Sequence, residues 1–269
     1  MKATLDEARI GLDDDLVNLT LYGYGIYSSF IVSQGRMVRG WDYHVERIIS
    51  DARDFLGLDV TRAGIERNLR AFVEGEAASG DMTCRVTVFP GDFSLGAPQA
   101  ASGPRMLVTG RSGSSLSGAA LKLQLAECDR PFAQYKITNI GAAMKLRGAA
   151  KAAGHDDALF LAGDLITEGP TWNVFFIGAD GIVTPRLNGR LLPGVTRRLI
   201  LDILGGEARE ADVAPADLGR FRGAFATNAA IGVVPVRAIG DVTYAADDEA
   251  IGRLQRAYAD LAGTEVFGA

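Results

Sequence analysis

The sequence predicts a mixed α and β protein in two domains, and three patterns in the chain point to this class. The stretch WDYHVERIISDARDFLG repeats apolar residues at helical spacing, whereas TCRVTVFPG alternates apolar and polar residues as a half-buried strand does. The stretch GRSGSSLSG is rich in glycine and serine and has no apolar periodicity, which predicts a connection between domains. We therefore place a smaller N-terminal domain at 1–112, a linker at 113–120 and a larger C-terminal domain at 121–269.

The N-terminal domain is predicted to hold a hairpin, two helices and a strand. Two short apolar runs flank a turn in FIVSQGRMV, as in a β-hairpin. The first helix should end at Gly57 and bury one stripe of residues, namely Val45, Ile48, Ile49, Ala52 and Leu56. A second helix should bury Ile65, Leu69, Phe72 and Val73, and the strand that follows should bury Cys84, Val86 and Val88.

The C-terminal domain is predicted to combine a sheet with helices. Short apolar runs separated by Gly-Asp and Ala-Asp-Gly turns predict strands at LKLQLAE, DALFLAG, NVFFIG and IVTP. Pro193 and Gly194 interrupt regular structure just before an apolar-periodic run, so a helix should begin near Val195. The last helix should bury one face made of Ile251, Leu254, Tyr258 and Leu261.

Composition and charge narrow the class of function. The 269 residues are 48% apolar and carry a net charge of −5 without a long Lys/Arg run, which argues against nucleic-acid binding. The chain has no run of about 18 apolar residues, and its polar N-terminus is unlike a targeting peptide. We therefore expect no membrane span, a cytoplasmic location and a small-molecule partner. The two cysteines, Cys84 and Cys128, and the two histidines, His44 and His155, predict no disulfide framework and no metal site.

A lysine before an alanine-rich segment is the first candidate for chemistry. A lysine becomes an amine nucleophile when burial or a neighbouring cation lowers its pKa and lets it form a Schiff base. Lys136 precedes the predicted helix, with Thr138 and Asn139 as possible caps, whereas Lys145 lies within it as a solvated flank. A solvated surface charge is the alternative for Lys136, and we prefer Lys136 to Lys145 as the reactive amine.

Two further features suit a charged ligand. A helix that begins after a Pro-Gly pair presents free amides near Val195 and Thr196, which can bind a phosphate, although an ordinary capped helix begins in the same way. Glu168 ends a short strand before a Gly-Pro turn. Its carboxylate is either a solvated turn residue or a buried partner for a ligand cation.

Four motifs, in order along the chain, resemble those of the class IV, or fold-type IV, family of pyridoxal-phosphate enzymes. YKITN is similar to the family's Schiff-base lysine motif at Lys136, and EGPTWNVF to the motif whose glutamate, here Glu168, pairs with the pyridine nitrogen. LPGVTR is similar to the helix start, here Val195 and Thr196, that binds the cofactor phosphate. HVER would supply the phosphate-binding arginine as Arg47.

A later loop, ATNAAIGVVPV, resembles the one that completes the family's phosphate site, here through Thr227, Asn228 and Ala229. The resemblance covers nearly the whole chain. It implies an α+β, two-domain, D-amino-acid-aminotransferase-like fold, with pyridoxal 5'-phosphate as the cofactor. It also implies amino acid and 2-oxo acid substrates and a homodimer.

The segment YGYGIYSS departs from the family's G-D-G-[VL]-[FY]-E pattern. Tyr24 stands at the acidic position and Ser28 at the glutamate, while Tyr27 keeps the aromatic residue that faces the substrate in the family. Tyr27 as a core aromatic residue and Arg85 as a solvated arginine are the alternatives to substrate contacts. On the resemblance, the substrate side is lined by Tyr27, Arg85, Thr171 and Trp172.

The resemblance leaves two enzymes and one binding protein open. An aminotransferase that moves an amino group between an amino acid and a 2-oxo acid is the preferred function. The alternative is aminodeoxychorismate lyase, which releases pyruvate and 4-aminobenzoate, because the asparagines of YKITN and TNAAIGVVPV are similar to those of that enzyme. The K-x-L-N-R-L run of the lyases is absent from the sequence. A non-catalytic relative is disfavoured because Lys136 and Glu168 are both present.

Overall fold

The computed structural model describes residues 3–5, 8–10, 13–34, 36–75, 80–100, 102–113, 119–246 and 248–267. The chain divides into two compact units, and the division is discontinuous. The first unit contains 1–112, 135–139 and 265–269, and the second contains 113–134 and 140–264. Most of the predicted linker, 114–118, lies outside the described residues.

The first unit is built on a three-stranded antiparallel sheet in the order β3, β5, β6. Its strands are β1 (Ala3–Leu5), β2 (Ala8–Ile10), β3 (Ile26–Val32), β4 (Met37–Val38), β5 (Met82–Pro90) and β6 (Pro104–Ser112). Its helices are α1 (Asp14–Tyr22), α2 (Trp41–Asp51), a π-helical turn (Ala52–Leu56), α3 (Arg62–Gly75) and a 3-10 turn (Pro98–Ala100). The segment 135–139 joins this unit, where Ile137 forms an antiparallel bridge with Ile26.

The core of the first unit lies between the sheet and helices α2 and α3. Alternate residues of β5, the predicted Cys84, Val86 and Val88, are buried. The stripe predicted for α2 also packs into this core, through Val45, Ile48 and Ala52. The helical stretch ends at Gly57, whose φ of 71° lies in the left-handed region that glycine adopts without strain. These sequence predictions are confirmed.

The second unit contains a nine-stranded mixed sheet in the order β12, β11, β10, β13, β14, β7, β8, β9, with β15 paired to β14. The first strands are β7 (Leu121–Glu127), β8 (Asp157–Ala162), β9 (Leu165–Ile166), β10 (Asn173–Gly178) and β11 (Gly181–Pro185). Strand β16 (Thr264–Glu265) pairs with β4 and is not part of this sheet. The later strands of the second unit are β12 (Ala208–Ala211), β13 (Gly223–Asn228), β14 (Gly232–Ile239) and β15 (Val242–Thr243). Its helices are α4 (Gly141–Ala152), α5 (Val195–Leu204), α6 (Glu249–Asp260) and two 3-10 turns (Gly205–Glu207 and Pro215–Arg220).

Both faces of the second sheet are buried. On β10, Val174 and Phe176 join one apolar cluster, while Phe175 and Ile177 join another that includes residues of α5 and α6. Because successive side chains of a strand point to opposite faces, a strand buried on both faces is apolar throughout, as NVFFIG is. Helix α5 begins at Val195, as the Pro-Gly pair predicted.

Candidate active site

Lys136 is held through its backbone in the first unit. Its N–H donates to Asp51 Oδ2 at 3.0 Å, and its carbonyl accepts from the N–H of Tyr27 at 2.8 Å. The prediction that Thr138 or Asn139 caps the following helix was wrong, because α4 has Ile140 at its N-cap. The Thr138 hydroxyl instead donates to the carbonyl of Gly25 at 3.1 Å and also to that of Gly23, which ties the lysine segment to the start of β3.

Tyr27 lies between two cations. The Arg85 guanidinium carbon lies 3.7 Å from the centre of the Tyr27 ring, and Lys136 Nζ lies 4.7 Å from it. Burial alone would raise the pKa of the Tyr27 hydroxyl, but the charges of Lys136, Arg85 and Arg47 and a hydrogen bond with Lys136 lower it overall. Antiparallel pairing of Tyr27 with Thr87 and of Ser29 with Arg85 puts Tyr27 and Arg85 on the same sheet face. The structure therefore brings Lys136, Tyr27 and Arg85 together.

Arg47 is a buried cation on α2 beside a serine and a histidine. Its Nη2 donates to Ser28 Oγ at 2.6 Å and lies 3.4 Å from His44 Nδ1, which is itself 2.7 Å from Ser28 Oγ. Burial and the positive charges of Arg47 and Lys136 hold the pKa of His44 well below its ordinary value, so the ring is neutral at pH 7. Burial also lowers the pKa of Arg47 to about 10, which leaves the guanidinium charged at pH 7.

Glu168 is buried in the second unit and bound from two sides. Arg130 donates to Oε1 from Nε at 3.1 Å and from Nη2 at 2.8 Å, and the backbone N–H of Leu192 donates to Oε2 at 3.0 Å. The sequence reasoning did not find Arg130, because only the folded chain brings it to a residue 38 positions away. The carboxylate is thus a fixed, ion-paired acceptor rather than a solvated turn residue.

The start of α5 is shaped by a close approach to β10. A side chain at Gly194 would place its Cβ 2.1 Å from Asn173 Oδ1, so only glycine fits there. The amide of Asn173 also donates to the Leu192 carbonyl at 2.9 Å. Gly194 offers no side-chain cap to α5, so the first amides, at Val195 and Thr196, are not bound by a capping side chain.

Thr227 lies on β13 opposite Asn173, and hence on the strand next to the one that contacts the start of α5. Among the described residues, neither Thr227 Oγ1 nor Thr196 Oγ1 has a hydrogen-bond partner, although both atoms are buried. The Asn228 side chain, by contrast, is hydrogen-bonded. Its Oδ1 accepts from the N–H groups of Ala230 and Ile231, both at 2.8 Å.

The turn between Asn228 and β14 is tied to the segment that precedes β10. Asn228 Nδ2 donates to the carbonyl of Thr171 at 3.0 Å. Asn228 therefore shapes the loop that contains Ala229 and joins it to the predicted substrate side.

The predicted substrate residues Thr171 and Trp172 are fixed by a buried ion pair. Arg147 binds Asp157 with contacts of 3.0 and 2.8 Å and also donates to Thr171 Oγ1 at 2.8 Å. The Trp172 indole N–H donates to Asp157 Oδ2 at 2.8 Å, and the indole packs so closely on Gly169 that a Cβ there would clash at 2.1 Å. Trp172 lies in the apolar core of the second unit.

Neither a metal site nor a membrane-spanning helix is found in the described residues. No group of three or more His, Cys, Asp or Glu side chains within them could hold a metal ion. Among the helices described, none is long and apolar enough to cross a membrane.

The family model for class IV aminotransferases matches residues 25–239. Branched-chain-amino-acid aminotransferase 1 of Arabidopsis thaliana, a mitochondrial enzyme, is 33% identical over 114 residues, which is 40% of this chain and 29% of that protein. The chain thus matches less than a third of the length of the plant enzyme. A probable branched-chain-amino-acid aminotransferase of Rickettsia felis is 28% identical over 80% of this chain and 79% of its own length.

Solved structures match the fold over nearly the full chain. The branched-chain aminotransferase of Thermoproteus uzoniensis, solved with norvaline, superposes with a TM-score of 0.84 at 19% identity, over 99% of both chains. A hypothetical aminotransferase from Mycobacterium tuberculosis, solved in its PLP-bound form, gives a TM-score of 0.76 at 17% identity over 95% of both chains. These matches confirm the predicted fold-type IV architecture.

The motifs that suggested the family all lie inside the matched range, from His44 to Val236. Pyridoxal phosphate is the cofactor of this family, so the cofactor prediction is confirmed at the level of the family. The chain belongs to the class IV aminotransferase family.

Proposed function

We propose that this chain is a pyridoxal-phosphate-dependent aminotransferase that moves an amino group between an amino acid and a 2-oxo acid, with Lys136 as the amine that holds the cofactor. One observation carries the assignment of the lysine. Its backbone is bound on both sides, by Asp51 and by Tyr27, while its side chain lies at the Tyr27 ring. A lysine held in this way presents its amine in one place, as covalent catalysis requires.

Each unit contains buried donor groups whose chemistry suits the phosphate of this cofactor. The buried hydroxyls of Thr196 and Thr227 and the buried Nε of Arg47 have no partner among the described residues. Unpaired buried donors are costly, and a phosphate would satisfy them. We assign Val195, Thr196, Thr227 and Arg47 to the phosphate, with Ala229 contributing through the loop that Asn228 shapes.

The cofactor, when bound, withdraws electrons from the α-carbon of the substrate and so makes its proton acidic. Lys136 has two roles in this proposal. It would hold the cofactor covalently, and as a free amine it would be the base that removes the substrate α-proton and returns it. The hydrogen bond and ring contact with Tyr27 limit where Nζ can move.

Glu168 keeps a proton on the pyridine nitrogen, because an adjacent carboxylate favours the charged form of that ring. Arg130 and the Leu192 N–H hold the carboxylate in one orientation. Each Glu168 oxygen can accept more than one hydrogen bond, so these contacts leave it able to receive the ring N–H.

Arg85 is our candidate for binding the substrate carboxylate. Its guanidinium stacks on Tyr27 and is half-buried, which favours a bidentate contact with a carboxylate. We propose an aliphatic amino donor, because the relatives described above are branched-chain aminotransferases and one was solved with norvaline. Arg85→Gln should raise KM for the donor roughly tenfold or more, whereas the control Arg111→Gln, at an exposed position of β6, should leave it unchanged.

The resemblance to the family also suggests a homodimer, which we include in the proposal. Sedimentation or light scattering should then give a mass of twice the 28.5 kDa chain. A monomer with full activity would contradict this part of the proposal.

One experiment separates transamination from the lyase reaction. The purified holoprotein is mixed with one amino acid at a time, in both L and D forms, without an oxo acid. An aminotransferase retains the donor's amino group after its first half-reaction, so the visible absorbance should bleach and then return when a 2-oxo acid is added. Pyruvate and 4-aminobenzoate formed from aminodeoxychorismate, without bleaching by any amino acid, would instead establish the lyase.

A further inference from the structure

A buried acid on α2 contacts the lysine segment directly. Asp51 is the last residue of that helix and only 5% exposed, and its Oδ2 accepts the N–H of Lys136 at 3.0 Å. The other side of the Lys136 peptide is bound by the backbone of Tyr27. Asp51 therefore provides the one side-chain hydrogen bond described for the lysine backbone.

The hydrogen-bond partners of Arg47 on α2 and β3 are neutral. Ser28 contacts Arg47 and His44 as a neutral hydroxyl. His44 is also neutral, because its burial and the charge of Arg47 prevent protonation. Ser28 and His44 thus give Arg47 hydrogen-bond partners but no negative charge.

Asp51 supplies that negative charge. Burial raises the pKa of its carboxyl to about 6, against the opposing effects of the Lys136 N–H and the charges of Arg47 and Lys136, and the nearby Asp54 raises it further. The carboxyl is therefore ionised at neutral pH. Because its interactions with Arg47 and Lys136 are attractive, the ionised form stabilises both cations.

We propose that Asp51 is a positioning residue for Lys136, which fixes the lysine backbone and uses its negative charge to favour the protonated form of the Lys136 nitrogen. This role rests on the proposed function of Lys136. It assigns to Asp51 the negative charge that the neutral Ser28 and His44 do not provide beside Arg47.

The test uses the pH dependence of the visible absorbance of the holoprotein, which follows protonation at the Lys136 nitrogen. Asp51→Asn keeps an oxygen that can accept the Lys136 N–H but removes the charge. We expect its absorbance midpoint to fall by about one pH unit, which is a tenfold loss of proton affinity. Asp51→Glu restores the charge and should bring the midpoint back towards that of the wild type.

Asp42→Asn is the matched control, because Asp42 is an exposed acid at the start of the same helix that pairs with Arg62. Its midpoint should stay at the wild-type value. If Asp51→Asn does not fold, Asp51→Ser repeats the test with a neutral hydroxyl as acceptor. A neutral variant that folds, binds cofactor and keeps the wild-type midpoint would overturn the proposal and leave Asp51 as a structural residue only.

The proposal and the assignment of Lys136 fail in different ways. If Lys136→Ala kept a borohydride-reducible link to the cofactor, the assignment of Lys136 would be wrong, whatever the Asp51 variants did. If Lys136→Ala lost the link and the neutral Asp51 variants kept the wild-type midpoint, only the role of Asp51 would fail.

Discussion

The groups around Lys136 and those around Glu168 differ in how their charges are arranged. In the first unit, Lys136, Arg47 and Arg85 all act on Tyr27 as positive charges, and burial raises the pKa of the acid Asp51 against the charges of Arg47 and Lys136. In the second unit, the central charge is the acid Glu168, and Arg130 pairs with it directly. The first region is therefore suited to binding anions, while the second holds a carboxylate ready for a ligand cation.

Three buried donors, one in the first unit and two in the second, differ from Glu168 in their hydrogen bonding. Arg47 Nε, Thr196 Oγ1 and Thr227 Oγ1 are buried donors without a partner in the described parts of the chain. Both Glu168 oxygens, in contrast, accept hydrogen bonds. Since buried polar groups in folded proteins are nearly always paired, these unpaired donors support the proposed phosphate contacts. We therefore expect the phosphate contacts to contribute binding energy and Glu168 to contribute orientation and charge.

The largest expected effect comes from removing the amine of the first region. Lys136→Ala should lower turnover roughly 10⁴-fold, because both the covalent link and the base are lost. The variant should also lose visible absorbance and the borohydride-reducible link to the cofactor. Absorbance spectra and mass spectrometry after reduction measure both losses.

Lys145→Ala is the matched control for the lysine, since Lys145 is exposed on α4 nine positions further on. It should keep the link, the spectrum and the turnover of the wild type. A reduced cofactor found on Lys145 would reverse the assignment.

A substitution of Glu168, in the second region, should lower turnover less than Lys136→Ala does. Glu168→Gln keeps the size of the side chain but cannot stabilise a positive ring nitrogen, so turnover should fall roughly 100-fold or more while cofactor affinity changes little. Steady-state kinetics and a cofactor titration measure the two effects separately. Glu207→Gln, at an exposed glutamate of the same unit, provides the control. Near-wild-type turnover of Glu168→Gln would mean that the two regions do not differ as we describe.

Much of the fold could be predicted because its signals are local. The alternation of Cys84, Val86 and Val88, and the first residue of α5 at Val195, follow from side-chain period and backbone chemistry within a few positions. The cap predicted at Thr138 failed because a distant partner, the start of β3, binds that hydroxyl. Local capping rules do not anticipate such tertiary competition.

Only those residues of the candidate site that stand in sequence motifs could be predicted. Lys136 and Glu168 stand in motifs, whereas the residues that hold them, Asp51 and Arg130, are 85 and 38 positions away from their partners. No periodicity links such distant positions. One partial signal existed for Asp51: it lies four residues after Arg47, on the same face of α2.

The pH dependence of the free energy of unfolding, measured without cofactor, should also distinguish the first region from the second. Burial raises the pKa of Asp51 from an unfolded value of 3.8 to about 6, so the native state binds its proton more tightly. The resulting stabilisation is complete below pH 3.8 and is lost as the pH rises through about 6. Relative to Asp51→Asn, the wild-type free energy of unfolding should therefore fall by roughly 1–3 kcal/mol across this window. Urea unfolding at several pH values measures it, and a difference independent of pH would contradict the raised pKa.

The smallest effects should come from the unpaired threonine hydroxyls. Thr196→Ala and Thr227→Ala should each weaken pyridoxal-phosphate binding by about 1.5 kcal/mol, roughly tenfold, if each hydroxyl donates to the phosphate. The titration is done in the Lys136→Ala background, so that the covalent link does not mask the loss. Without cofactor, neither variant should be destabilised, because no internal hydrogen bond to these hydroxyls is described.

Thr184→Ala gives the opposite pattern and so serves as the control. Its buried hydroxyl donates to the Val174 carbonyl at 2.8 Å, so the variant should lose about 1 kcal/mol of stability and keep its cofactor affinity. Should Thr196→Ala and Thr227→Ala behave like Thr184→Ala, their hydroxyls would have protein partners in solution. The contrast between unpaired donors for the phosphate and a hydrogen-bonded Glu168 would then no longer hold.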